Sequence, residues 1–83
     1  MEKADLLKPF DSVNVIIWGP DDSRLYEIKN TGFHTIEEAI RSAVDGANLN
    51  ISPEDCVFEV NNETTGVTHK YRYNAHGHIK LII

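Results

Sequence analysis

The alternation of apolar and polar positions divides the chain into short runs separated by turn-forming residues. Residues 13–18, VNVIIW, and 24–29, RLYEIK, are rich in β-branched and aromatic side chains and flank GPDDS, so they predict a hairpin. A four-residue loop, Gly19 to Asp22, pairs Ile17 with Arg24, Val15 with Tyr26 and Val13 with Ile28. Side chains alternate along a strand, so Val13, Val15, Ile17, Tyr26 and Ile28 collect on one face. Asn14, Ile16, Trp18, Leu25 and Glu27 take the other, which is unusually apolar for a side that should meet water.

The period then changes. Thr35 followed by Glu38 is a capping-box pattern, and Glu37 and Glu38 would sit where negative charge meets the positive end of a helix dipole. Ile36, Ala39, Ile40, Ala43, Val44 and Ala47 recur at helical spacing and predict an apolar stripe, with Gly46 or Asn48 as the stop. The small alanines allow such a helix to lie close on a sheet.

After NISPED, residues 56–60 alternate again, with Cys56, Phe58 and Val60 facing one way. A turn from Asn62 to Thr65 pairs Asp55 with Arg72 and Val57 with Lys70, leaving Glu59 on the diagonal. The last stretch, HKYRYNAHGHIKLII, reads as a hairpin around Ala75, His76 and Gly77, with glycine supplying the left-handed backbone. This register sets Tyr73 against Ile79, Tyr71 against Leu81 and His69 against Ile83, and sends Lys70, Arg72, Asn74, His78, Lys80 and Ile82 to the opposite face. A shift of one residue would bury Lys80 beside Tyr71, so the pattern selects this phase.

The expected fold is therefore α+β: a single small domain of ββαβββ order over residues 12–83, mostly antiparallel, with one helix packed on one face of the sheet. Residues 1–11 form an N-terminal arm or short helical turn anchored by Leu6, Leu7 and Phe10. The hairpin-helix-hairpin order resembles that of β-grasp domains, whose terminal strand lies parallel to the first in the centre of the sheet, a place HIKLII would suit. The resemblance is one of element order alone and implies no function.

Eighty-three residues make one domain with a modest core and a stability on the order of 5 kcal/mol. The single cysteine has no internal disulfide partner, the N-terminus lacks a secretory pattern, and no apolar run is long enough to cross a membrane, so the cytoplasm is the expected location. The net charge of −5 disfavours nonspecific attraction to nucleic acids and anionic membranes. It is unevenly spread: residues 1–55 carry five Lys/Arg against eleven Asp/Glu, net −6, and residues 56–83 carry three against two, net +1. An anion-binding surface therefore belongs to the last third.

Candidate chemistry is sparse. His76 occupies a turn tip, His78 follows the loop, and His69 points to the opposite face, so the three do not converge as zinc ligands and no metal or cofactor is expected. Cys56, inward on its strand and beside Asp55, is a small core residue and not an activated nucleophile. No phosphate loop, nucleophile elbow or metallohydrolase histidine pair is present, and no catalytic activity is expected.

Two surfaces remain. The apolar face of the first hairpin, carrying Ile16, Trp18 and Leu25, is either covered by Leu6, Leu7 and Phe10 or binds a protein partner or a second copy. The expected function is accordingly a small protein-interaction or regulatory module. The alternative is nucleic-acid or polyanion binding by Lys70, Arg72, Lys80 and His78 on the C-terminal hairpin. Acids on the preceding strand would compensate these cations without a ligand. Tyr71 and Tyr73, which a base-stacking platform would need at the surface, point inward.

Overall fold

The structure, a computed structural model, describes residues 11–73 and 79–82. Five strands form one sheet: β1 (Val13–Trp18), β2 (Arg24–Asn30), β3 (Val57–Asn62), β4 (Val67–Tyr73) and β5 (Ile79–Leu81). Among the described residues one α-helix, α1 (Ile36–Ala47), lies between β2 and β3. The order across the sheet is β2-β1-β3-β4-β5 and every neighbouring pair is antiparallel. This is the α+β domain of ββαβββ order that the apolar pattern implies. The middle strand is β3, β1 is an interior strand between β2 and β3, and β5 is the last strand on the far side, antiparallel to β4. The placement in β-grasp domains, with the terminal strand parallel to the first, is thus not the one adopted.

One face of the sheet carries α1, and the core lies between them. Val13, Val15 and Ile17 from β1, Phe58 and Val60 from β3, Tyr71 from β4, and Cys56 meet Ile36, Ala39, Ile40 and Ala43 of the helix. Tyr26, Ile28, Val44, Ala47, Tyr73 and Ile79 pack around them. Phe58 is fully buried and its ring lies 5.2 Å from that of Tyr73. The helix begins where the cap motif places it: the Thr35 hydroxyl accepts the Glu38 amide at 3.0 Å. It ends at Asn48, which takes the left-handed conformation (φ 52°). Gly46 lies inside the last turn, where a β-carbon would stand 2.8 Å from the Tyr26 hydroxyl, so its bareness lets Tyr26 reach the helix.

Two registers differ from the sequence expectation by two positions. In the first hairpin Val13 pairs with Asn30, Val15 with Ile28 and Ile17 with Tyr26, and a bulge intervenes before Trp18 meets Arg24. The loop explains the slip. Gly19 donates to the Ser23 carbonyl and Asp22 to the Gly19 carbonyl, with Asp22 left-handed at φ 63°, so Ser23 belongs to the loop and not to the strand. The β3–β4 turn likewise spans Glu63 to Gly66, because Asn62 stays in the strand while its side-chain oxygen accepts the amides of Thr64 and Thr65. Gly66, at φ 80°, closes the turn with a bond to the Asn62 carbonyl. A two-residue slip keeps side chains on their original faces, so the division into inner and outer faces survives everywhere except at the bulge, where Arg24 and Leu25 change places.

The third register agrees with expectation: Tyr71 pairs with Leu81, Arg72 with Lys80 and Tyr73 with Ile79. The turn centred on His76, and with it Asn74, Gly77 and His78, lies outside the described residues, as do Leu6, Leu7 and Phe10.

Candidate functional site

The sheet face turned away from the helix is the surface on which the chemistry-bearing residues meet. Asn14, Ile16 and Trp18 come from β1, Arg24 and Glu27 from β2, Val57, Glu59 and Asn61 from β3, Lys70 and Arg72 from β4, and Lys80 from β5. Side-chain alternation and the observed registers assign all of them to this side. Trp18 and Lys70, put forward above for two different functions, therefore share one face. Together with Asp22, Val57, Glu59 and Ile82 they line an open hollow of about 450 Å³.

Trp18 is half-buried and held from two directions. Its indole Nε1 donates to Glu59 Oε1 at 3.1 Å, on the neighbouring strand β3 of the same sheet. The Arg24 guanidinium lies over the ring, 5.4 Å from its centroid, and is itself held by Glu27 at 3.0 Å. A cation over an indole adds attraction and, by occupying one ring face, fixes which part of the ring stays open. The other walls of the hollow are apolar at Val57 and at Ile82, which is 43% exposed.

Ile16 and Leu25 do not join Trp18 at this surface. Ile16 sits mid-strand in the interior strand β1, between Glu27 and Glu59, and is only 6% exposed, which removes it from any contact surface. Leu25 is displaced by the bulge. With Trp18 paired to Arg24 and Ile17 to Tyr26, Leu25 is the extra residue, and it lines a separate hollow with Ala47, Asn48, Leu49, Asn50 and Ile51 beside the helix C-terminus. A bulge re-aims a side chain in this way. Strict alternation, the only signal available in the sequence, could not foresee it. Val57, directly opposite Trp18, and Ile82, in phase with Lys80, complete the apolar part of the hollow; the alternation of CVFEV and HIKLII sends both to the outer face, and the return of β3 beside β1 brings them to Trp18.

The cationic residues stand differently from expectation. Glu59 is directly opposite Lys70, not diagonal to it, but its carboxylate is taken by Trp18 Nε1 and, at 3.0 Å, by Asn61 Nδ2. Asp55 lies in a 3-10 turn (Pro53–Asp55) before β3 and has no strand position opposite Arg72. Among the described residues, the ion pairs involve Arg24, Lys29, His34 and Arg41, and none involves Lys70, Arg72 or Lys80. Arg72 and Lys80 are directly paired across β4 and β5. Like charges placed so cost about 0.2–1 kcal/mol. His78 lies outside the described residues.

The remaining titratable groups show no catalytic arrangement among the described residues. Cys56 is buried, its thiol reaches only the Ser52 carbonyl at 3.7 Å, and burial together with the Asp55 charge pushes its pKa up, away from the thiolate. His69 lies on the inner side, edge-on to Tyr71 at 6.4 Å. Tyr73 is raised by burial, opposed by Arg41 and reinforced by Asp45 and Glu37 on the helix. No group of three His, Cys, Asp or Glu side chains converges among the described residues, and no described helix is long and apolar enough to cross a membrane. No family model, curated protein or solved structure matches the chain.

Proposed function

We propose that this chain is a cytoplasmic, non-catalytic binding module that engages a protein partner through the outer face of its sheet, with Trp18 as the anchor. The observation that carries this reading is the state of that side chain. The only tryptophan in the chain is pinned by Glu59 and Arg24 and opens onto a hollow whose other apolar walls are Val57 and Ile82. A pre-oriented aromatic loses little freedom on binding, which is why tryptophan is enriched among residues that dominate interface energies. A second copy of the chain fits the same description, and sedimentation separates the two cases.

The test compares wild type with Trp18→Ala. The variant should keep the wild-type circular dichroism spectrum and lose either self-association or the specific partner recovered from native lysate. A monomer at high concentration, together with an identical set of captured proteins for both forms, would overturn the reading.

A second reading has its own observation. Lys70, Arg72 and Lys80 share the face with no ion pair among the described residues, which suits a polyanion such as single-stranded nucleic acid. It is the weaker of the two. Tyr71 is 1% exposed and Tyr73 packs against the core, so neither tyrosine beside these cations offers a face for bases to stack on. It predicts binding that falls steeply with salt and drops in Arg72→Glu; absence of binding at low ionic strength removes it.

A further inference from the structure

We infer that the outer edge of β5, unpaired among the described residues, is a docking site for an extended, acid-bearing segment of another protein, which joins the sheet as a further strand beside β5. The inference goes beyond the reading of the Trp18 hollow: it rests on backbone at the sheet's margin, three strands away from β1, and holds whether or not the hollow is occupied.

The backbone supplies the first half of the argument. In an antiparallel ladder the N–H and C=O of one residue point to the same neighbour, and those of the next residue point the opposite way. The Ile82 amide donates to the Lys70 carbonyl at 2.9 Å, toward β4. By that parity Lys80 also faces β4, and the peptide groups of Ile79 and Leu81 face away from the sheet. Among the described residues β5 is the last strand on this side, so those groups form a short template of donors and acceptors for an added strand.

The side chains supply the other half, because they state what the added strand must carry. On the outer face it would run beside Lys80, with Arg72 immediately behind, two cations set opposite each other with no carboxylate in ion-pair contact among the described residues. On the inner face it would run beside Ile79 and Leu81, the latter 39% exposed. The complementary sequence alternates carboxylate and apolar residues, acids outward and apolar side chains inward. The same charges argue against a second copy at this edge. Antiparallel pairing of β5 with β5 would bring two Lys80 side chains together beside two Arg72 side chains, a like-charge cluster that rejects the homotypic pair while an acidic strand relieves it. An edge lysine on a three-residue strand thus blocks promiscuous pairing and selects the partner in one device.

The experiment uses the full chain and a fluorescein-labelled peptide alternating glutamate and valine, read by anisotropy at low and moderate salt. Three controls accompany it: a shuffled peptide with its acids in one block, the alternating peptide N-methylated at alternate amides on the side that would face β5, and labelled oligothymidylate. The expected result is saturable binding of the alternating peptide alone. It should weaken about tenfold or more in the double variant Arg72→Glu with Lys80→Glu, more mildly in Lys80→Gln, and be unchanged in Trp18→Ala. Equal binding of the shuffled or N-methylated peptide, equal binding of oligothymidylate, or no binding at low salt would each overturn the inference. Loss of peptide binding in Trp18→Ala would overturn it too, by assigning the acidic segment to the hollow.

Discussion

Substituting Gly46 with alanine tests how closely the helix lies on the sheet, and hence which sheet face is left free. Gly46 is an exposed residue in the last turn of α1, where alanine should gain about 0.5–1 kcal/mol from helix propensity. The new β-carbon, however, would stand 2.8 Å from the Tyr26 hydroxyl, with the next ring atom at 3.5 Å. The ring atom is at ordinary contact distance, so the conflict is with the oxygen alone. Turning a half-buried tyrosine off its preferred rotamer to clear it costs about 0.5–1.5 kcal/mol. Gly46→Ala alone should therefore be close to neutral. In a Tyr26→Phe background the hydroxyl is gone, and the same change should stabilise by about 0.5–1 kcal/mol, raising the melting temperature by roughly 2–8 °C in a domain of this size. Urea unfolding of the four proteins in the cycle, followed by circular dichroism and by the fluorescence of Trp18, gives the coupling directly. Full stabilisation by Gly46→Ala with Tyr26 still present, and additivity across the cycle, would refute the claim that Tyr26 is packed against the helix.

Other outcomes follow from the same structure. Thr35→Ala removes the acceptor of the Glu38 amide and should cost about 1 kcal/mol, with Thr35→Ser recovering most of it in the same denaturation assay. The buried Cys56 thiol, with its pKa raised by burial and by Asp55, should react with a water-soluble thiol reagent only as fast as the protein opens. Native Cys56 holds its proton where the unfolded chain has released it, so stability should decline as pH climbs past 9.0, and Tyr73 adds to the decline past 10.0. Urea midpoints measured against pH should show that fall, and Cys56→Ala should flatten its first part.

What could be read from the chain, and what could not, divides along a physical line. The faces of the strands were legible because burial penalises the wrong ones severely: no register that buries Lys80 beside Tyr71 survives, and Tyr71 is indeed 1% exposed. The helix was legible because Thr35, the Ala-rich stripe and Asn48 each act locally. Registers were not, since a pattern of period two is blind to a slip of two, and the deciding contacts are short-range bonds within the loops: Gly19 with Ser23, and the Asn62 side chain with Thr64 and Thr65. Strand order was also hidden. Nothing in VNVIIW states that both of its edges are paired, although its unbroken burial from Val13 to Ile17 is the signature of an interior strand. At the candidate site, Trp18 and the cations were found separately; only the return of β3 between β1 and β4 brings them to one hollow.

The position of β1 has a consequence for how the molecule comes into being. Its first neighbour, β2, follows immediately, but its second, β3, arrives only after the whole helix, so that Trp18 finds Val57 from the far side of α1. A nascent chain that has emerged only as far as the helix exposes a strongly apolar strand with one bare flank, a natural target for a chaperone. Closing that flank is the nonlocal step that should limit the folding rate.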